Sequence, residues 1–216
     1  MARPRSISDE TLLDAAREVF LRDGYGAATT AIAKSAGVSE ATLFKRFGTK
    51  DELFFRALCD CPGAMAGLAL GPLLAGKEGA AERLETVLTH LIEHFRVEMP
   101  RMILLMSHGG FNPVEFWQRN PNAAPLKGLK ALTAFIDGEM RHGRLSQADP
   151  EVVARMLAGS ARSFVFFELI GMQESMPMAS TTYARGAIDV LLRGIAPVRH
   201  QDASPRVSAP SRVSAQ

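Results

Sequence analysis

The segment AGVSEATLFKRFGTKDELF, Ala36 to Phe54, holds a helix of about two turns that is closed at both ends. Ser39 stands at the N-cap position, and Val38 can pack on Leu43 as a hydrophobic staple. Leu43 and Phe47, four apart, share one face. Gly48 ends the helix, and Thr49-Lys50-Asp51-Glu52 has the form of a capping box for the next one. A helix this short is not stable alone. Neighbouring helices must hold its inner face, so the chain has to build a small helical domain around it. Glu40, Ala41, Thr42, Phe44, Lys45 and Arg46 remain on the outer face.

That outer face suits DNA. Ala41 is small enough for close approach to a base, and Thr42 can bond a phosphate or touch a thymine methyl. Lys45 and Arg46 can reach guanine edges or phosphates. The whole chain carries a net charge of only +2 over 216 residues, so any nucleic-acid face must rest on local charge. Between Thr29 and Lys50 the cations are Lys34, Lys45, Arg46 and Lys50, against the single acid Glu40. The same spacing also fits a structural connector with a solvated charged face. The AGVS turn between two helices, and an exposed Phe44 among cations, favour the DNA reading.

The rest of the chain reads as all-α, because nothing alternates with period two. Ser8 with Asp9 and Glu10 opens a first helix, which ends at the glycines of DGYG. Thr29 or Thr30 caps a second helix that turns Ile32 and Ala33 inward and stops at Gly37. A fourth starts after Thr49 with Leu53, Phe54, Ala57 and Leu58 on one side, and Pro62-Gly63 ends or kinks it. AAERLETVLTHLIEHFRVEM, APLKGLKALTAFIDGEMRHG, DPEVVARMLAGSARSFVFFELIG and TTYARGAIDVLLRGI read as longer helices. The expected organisation is a helix-turn-helix domain over 1–58, a linker and kinked helix over 59–79, a helical bundle over 80–197 and a disordered tail over 198–216. The uncharged run 61–76 is too short and too broken by Gly and Pro to cross a membrane. The opening MARPRSISDE is basic but lacks the apolar stretch of an export signal, so Cys59 and Cys61 are expected as reduced cytoplasmic thiols.

LLDAAREVFLRDGYGAATTAIAKSAGVSEATLFKRFGTKDELFFRAL, Leu12 to Leu58, resembles the DNA-binding domain of the tetracycline-repressor (TetR/AcrR) family of bacterial transcription regulators. YARGAIDVLLRGI looks like the last helix of that family. The resemblance implies a dimeric, ligand-responsive regulator, usually a repressor, on a palindromic operator in double-stranded DNA. It implies that Glu40, Ala41 and Lys45 face bases, and that Thr42, Phe44, Arg46 and Lys50 lie near phosphates, with Ser39 and the second-helix residues Thr29 and Thr30 close by. Two positions depart from the family pattern. Phe44 stands where the family commonly has Tyr, so a hydroxyl bond to phosphate is missing. The stretch from Gly24 to Ile32 is one residue short, which puts Ala28 where a capping Thr is expected and leaves Thr29 to take over the cap.

The resemblance also implies that the bundle binds a small molecule and pairs through its last two long helices. Ala158 and Ala161, with Gly159, permit close helix approach, and Ile188, Leu191 and Ile195 form an apolar stripe. Both are expected in the homodimer interface, the alternative being the core of one chain. Met102, Met106, Phe111, Trp117, Phe135, Met156, Phe164 and Phe167 are candidates to line a pocket for an apolar effector. Trp117 follows Gly109, Gly110 and Pro113, a stretch suited to a pocket wall. No cofactor is expected. One motif argues for an enzyme: HLIEH matches the spacing of a zinc hydrolase family, with His90 and His94 one turn apart, Glu93 beside them and His108 the nearest third ligand.

Overall fold

The computed structural model describes residues 7–59, 79–121 and 123–193. The expectations for 60–78, for Ile195 and for the tail lie outside these. Ten helices and no strand occur among the described residues.

The first four helices are α1 (Asp9–Asp23), α2 (Thr29–Ser35), α3 (Glu40–Phe47) and α4 (Lys50–Cys59). Ser8 caps α1 by accepting from the Thr11 N–H. Leu12, Ala16, Val19 and Phe20 of α1 are buried against Ile32 of α2, Leu43 and Phe47 of α3, and Leu53, Phe54 and Ala57 of α4. The rings of Phe20 and Phe54 meet edge to face at 5.0 Å, the favoured aromatic arrangement. Gly48 ends α3 at φ 73°, a conformation that favours glycine, and returns its N–H to the Phe44 carbonyl. Arg17 is buried beside this core, where its Nε donates to the Ala57 carbonyl at 2.7 Å.

The second part runs through α5 (Ala80–Ser107), α6 (Pro113–Arg119), α7 (Ala124–Arg141), α8 (Pro150–Leu169), the single turn α9 (Met172–Ser175) and α10 (Ser180–Arg193). Helices α5, α7, α8 and α10 bury their apolar stripes in one core, including Val87, Leu88, Ile92, Leu132, Ile136, Ala154 and Phe164. Asp149 caps α8 by accepting from the Glu151 and Val152 N–H groups, with Pro150 in the first turn.

This core corrects the expected dimer contacts. Ala161 is fully buried, Ala158 nearly so, and Ile188 is only 1% exposed, all within one chain. Leu191 packs half-buried on the same core. Small residues and an apolar stripe do bring helices together here, but the helices belong to one subunit.

One buried carboxylate braces the bundle. Glu139 accepts from Arg83 at 2.9 and 3.0 Å and from Arg144 at 2.7 and 2.8 Å. The Arg144 bonds first, then those of Arg83, hold its pKa below the usual value of 4.5 against the opposing effect of burial. A carboxylate depressed in the folded state stabilises it above the unfolded pKa, and that contribution disappears as pH falls through the folded pKa. Melting temperature is therefore expected to fall as pH drops below about 4.5. Glu139→Gln should start from a lower melting temperature at pH 7 and lose less in acid. Parallel acid curves for the two proteins would deny Glu139 this role.

Candidate functional site

The outer face of α3 stands as its sequence implies, with two changes of role. Ser39 caps the helix by accepting from the Thr42 N–H at 3.2 Å, and its hydroxyl lies 2.8 Å from that of Thr42. Ala41 and Lys45 are exposed, while Thr42 and Phe44 are half-buried. Glu40 is engaged by the Thr29 hydroxyl, which donates to its carboxylate and ties α2 to α3. Thr29 therefore does not cap α2: the N-cap position is Ala28, which has no side-chain oxygen to offer, and Thr29 is already inside the helix. Thr30 is exposed on the first turn of α2.

Arg46 is the second change. Its Nη1 donates to the Ile7 carbonyl and lies 3.1 Å from the Asp9 carboxylate. The guanidinium thus fastens the start of α1 to the end of α3. Lys50 stands 4.7 Å from the centre of the Tyr25 ring, and the Tyr25 hydroxyl donates to Asp51. Among the expected cations, Lys34 and Lys45 are the exposed ones.

A cavity of about 510 Å³ opens between α5, α6, α7 and α8. Met102, Met106 and Trp117 line it, with Phe95, Met99 and Leu129. The other five expected pocket residues lie elsewhere. Phe111 stacks near Phe55 beside the first domain's core, with ring centres 6.4 Å apart. Phe135 packs under the Arg83 guanidinium at 5.6 Å. Met156 is exposed. Phe164 packs on Tyr183 at 4.8 Å, and with Phe167 it borders a separate groove of about 170 Å³.

Four polar side chains of the cavity wall were not anticipated as ligand contacts: His94, Glu98, Arg155 and Arg162. Burial, reinforced by His90, Arg162 and Arg101, holds His94 below its usual pKa. Burial likewise raises Glu98, against Arg101 and Arg17. His94 belongs to the HLIEH motif, and it stands on the cavity wall. Glu93 is engaged by Arg96, and His108 sits among Tyr25, Phe54 and Phe55. Among the described residues no three His, Cys, Asp or Glu side chains are placed to hold a metal ion.

The two sites share one helix. Met102 and Met106 of α5 face the cavity, while Leu105 is buried in the first domain's core with Leu104 against it. His108, the residue that follows α5, lies 4.3 Å from Tyr25 between ring centres and 3.8 Å from the Asp51 carboxylate. Its Nδ1 accepts from the Gly110 N–H at 3.1 Å.

Residues 12–57 match the family model of bacterial regulatory proteins of the tetR family, and residues 81–194 match the C-terminal domain of AefR-like transcriptional repressors. The chain belongs to the TetR family of bacterial regulatory proteins. It is a ligand-responsive, DNA-binding transcriptional regulator that acts as a dimer. Solved structures share its fold. FadR from Bacillus subtilis, in complex with stearoyl-CoA, has 20% identity and a TM-score of 0.64, covering 88% of this chain and 100% of that one. FadR from Bacillus halodurans, a fatty acid degradation regulator, has 18% identity and a TM-score of 0.62, covering 92% and 100%. The flavonoid-responsive regulator FrrA has 23% identity and a TM-score of 0.59, covering 88% and 97%. At these identities the likeness is one of fold. No helix among the regulator's described residues is long and apolar enough to cross a membrane.

Proposed function

We propose that the regulator is a cytoplasmic repressor that holds a palindromic operator through two copies of α3 and leaves it when a small molecule enters the cavity. The observation that carries this reading is the double engagement of α5. A ligand that displaces Met102 or Met106 moves the same helix that plugs Leu105 into the DNA-binding core. The free energy available for release is the difference in ligand affinity between the two arrangements. The work is done by binding, with no reaction required of the ligand. Selection from random duplexes by the purified protein tests the first half. Inverted repeats should be recovered, with half-site centres about 10 bp apart or a multiple of it. Recovered sites without two-fold symmetry would overturn the reading.

Within each half-site, Ala41 and Lys45 meet bases. Thr30, Thr42, Phe44 and Lys50 meet the backbone, and Arg46 holds α3 in place from behind. Lys45→Ala is expected to cost roughly 1–3 kcal/mol and to relax base preference at one position per half-site. Lys50→Ala should weaken all sequences alike and lower the salt slope. Identical behaviour of the two variants on a panel of operator variants would erase this division.

The dimer forms on the outward face of α8. Val152, Met156 and Phe166 lie there, 51%, 55% and 43% exposed in the single chain, beside the small Gly159. An apolar row of this kind on a long helix needs a partner, and a two-fold axis supplies the same row from the second copy.

A further inference from the structure

Among the described residues, one charge on the cavity wall has no opposite charge paired with it. Of its ionic lining residues, Glu98 is paired with Arg101 at 2.8 Å, and Arg155 is paired with Glu151 at 2.6 Å near the rim. Arg162 has no carboxylate partner among the described residues. Its guanidinium lies instead 4.8 Å from the centre of the Phe95 ring, itself part of the cavity wall. Arg162 is an exposed residue, and the partial burial that it has on this wall lowers its pKa. His94, on the same wall, is pushed towards its neutral form partly by Arg162. Standing on the cavity wall against the Phe95 ring, Arg162 gives the site a positive pole. A guanidinium is a strong, forked donor whose bonds to a carboxylate are among the strongest available. The remaining wall is apolar, supplied by Met99, Met102, Met106, Trp117 and Leu129.

We propose that the effector is an amphipathic carboxylate whose anionic group binds Arg162 and whose apolar body lies along the methionines and Trp117. This rests on the reading of the cavity as the effector site and replaces the purely apolar effector with a charged one. Size narrows the class further. At the ~30 Å³ that a water occupies in the liquid, the cavity takes on the order of 17 non-hydrogen atoms. That fits an aromatic acid or an aliphatic acid of medium length, and the site therefore reads an acid head and a short apolar tail.

Decanoate and 1-decanol, which share one tail and differ in charge, separate the two levels of the argument. Binding is followed by Trp117 emission, Trp117 being the single tryptophan and part of the wall, and independently by melting temperature. Decanoate should shift both in the full-length protein, with 1-decanol weaker by roughly 10- to 100-fold, the range of a hydrogen bond to a charged group. Arg162→Gln should bring decanoate down to the level of 1-decanol and leave 1-decanol unchanged. Arg162→Lys should keep much of the preference, because it keeps the charge. If 1-decanol binds the unaltered protein as well as decanoate does, or if Arg162→Gln keeps the preference, the anion site is overturned and the cavity reading survives. If neither compound moves emission or melting temperature, both are overturned.

Discussion

Met156→Glu is expected to leave a folded regulator that sediments as a monomer and has lost its operator. Met156 stands on the outward face of α8, and more than half of its surface is open in a single chain. Two-fold symmetry doubles the effect, since each interface would receive two carboxylates close to the axis. Like charges brought together in an apolar contact oppose association, and an unpaired charge there is among the costliest substitutions. A monomer can engage only one half-site, so most of the specific affinity should go. Specific sites bind at least about a thousandfold tighter than random DNA, and a fall of that order is expected. Ile188→Asp provides the contrast, because Ile188 is already inside the core of one chain. That variant should lose helical content and melting temperature, whereas Met156→Glu should keep both. A Met156→Glu protein that remains dimeric in sedimentation equilibrium would remove the outward face of α8 from the interface.

The difference between these two residues marks the limit of what the sequence could tell. Both belong to clear helical patterns, and both patterns were legible. An apolar stripe says that a helix is covered on one side, not whether the cover is its own chain or a twin. The helix-turn-helix was legible because its signals are local: the Ser39 cap, the Leu43–Phe47 pair and Gly48 all act within one turn of each other. The internal bonds of Arg46 are not legible in the sequence, for the opposite reason. Its partners, the Ile7 carbonyl and Asp9, lie 39 and 37 residues away. The pocket shows the same division. Met102 and Met106 line the cavity while Phe135 and Phe164 fill space, yet all four are apolar residues in helices. Whether such a side chain meets a neighbour or a void depends on how the helices are spaced, and spacing is a property of the packed bundle. Arg162 is a further case, since a cation in a helix ordinarily signals a solvated face.

Leu105→Ala should separate ligand binding from DNA release. Leu105 is carried by the helix that lines the cavity, but it is buried, 3% exposed, in the core of α1 and α4. Removing three carbons at such a point leaves a void and costs about 2–5 kcal/mol, drawn mainly from the contact between the two domains. The cavity wall is untouched, because Met102 and Met106 point elsewhere. A ligand that releases the unaltered regulator should therefore still bind Leu105→Ala and still shift Trp117 emission. What should fall is the coupling between the sites, ordinarily worth some 1–3 kcal/mol or about 5- to 150-fold in operator affinity. In the variant the ligand should change operator affinity by no more than about twofold, a loss of nearly all that coupling. Leu105→Met, which conserves volume and apolar contact, should retain the response. Thermal melting of both variants shows whether the first domain is still folded at the assay temperature. If Leu105→Ala is folded, binds the ligand and still leaves the operator with unaltered coupling, transmission does not pass through the end of α5. The aromatic cluster of Tyr25, Phe54, Phe55 and His108 would then be the next contact to sever, since there too the turn after α5 touches the DNA-binding core.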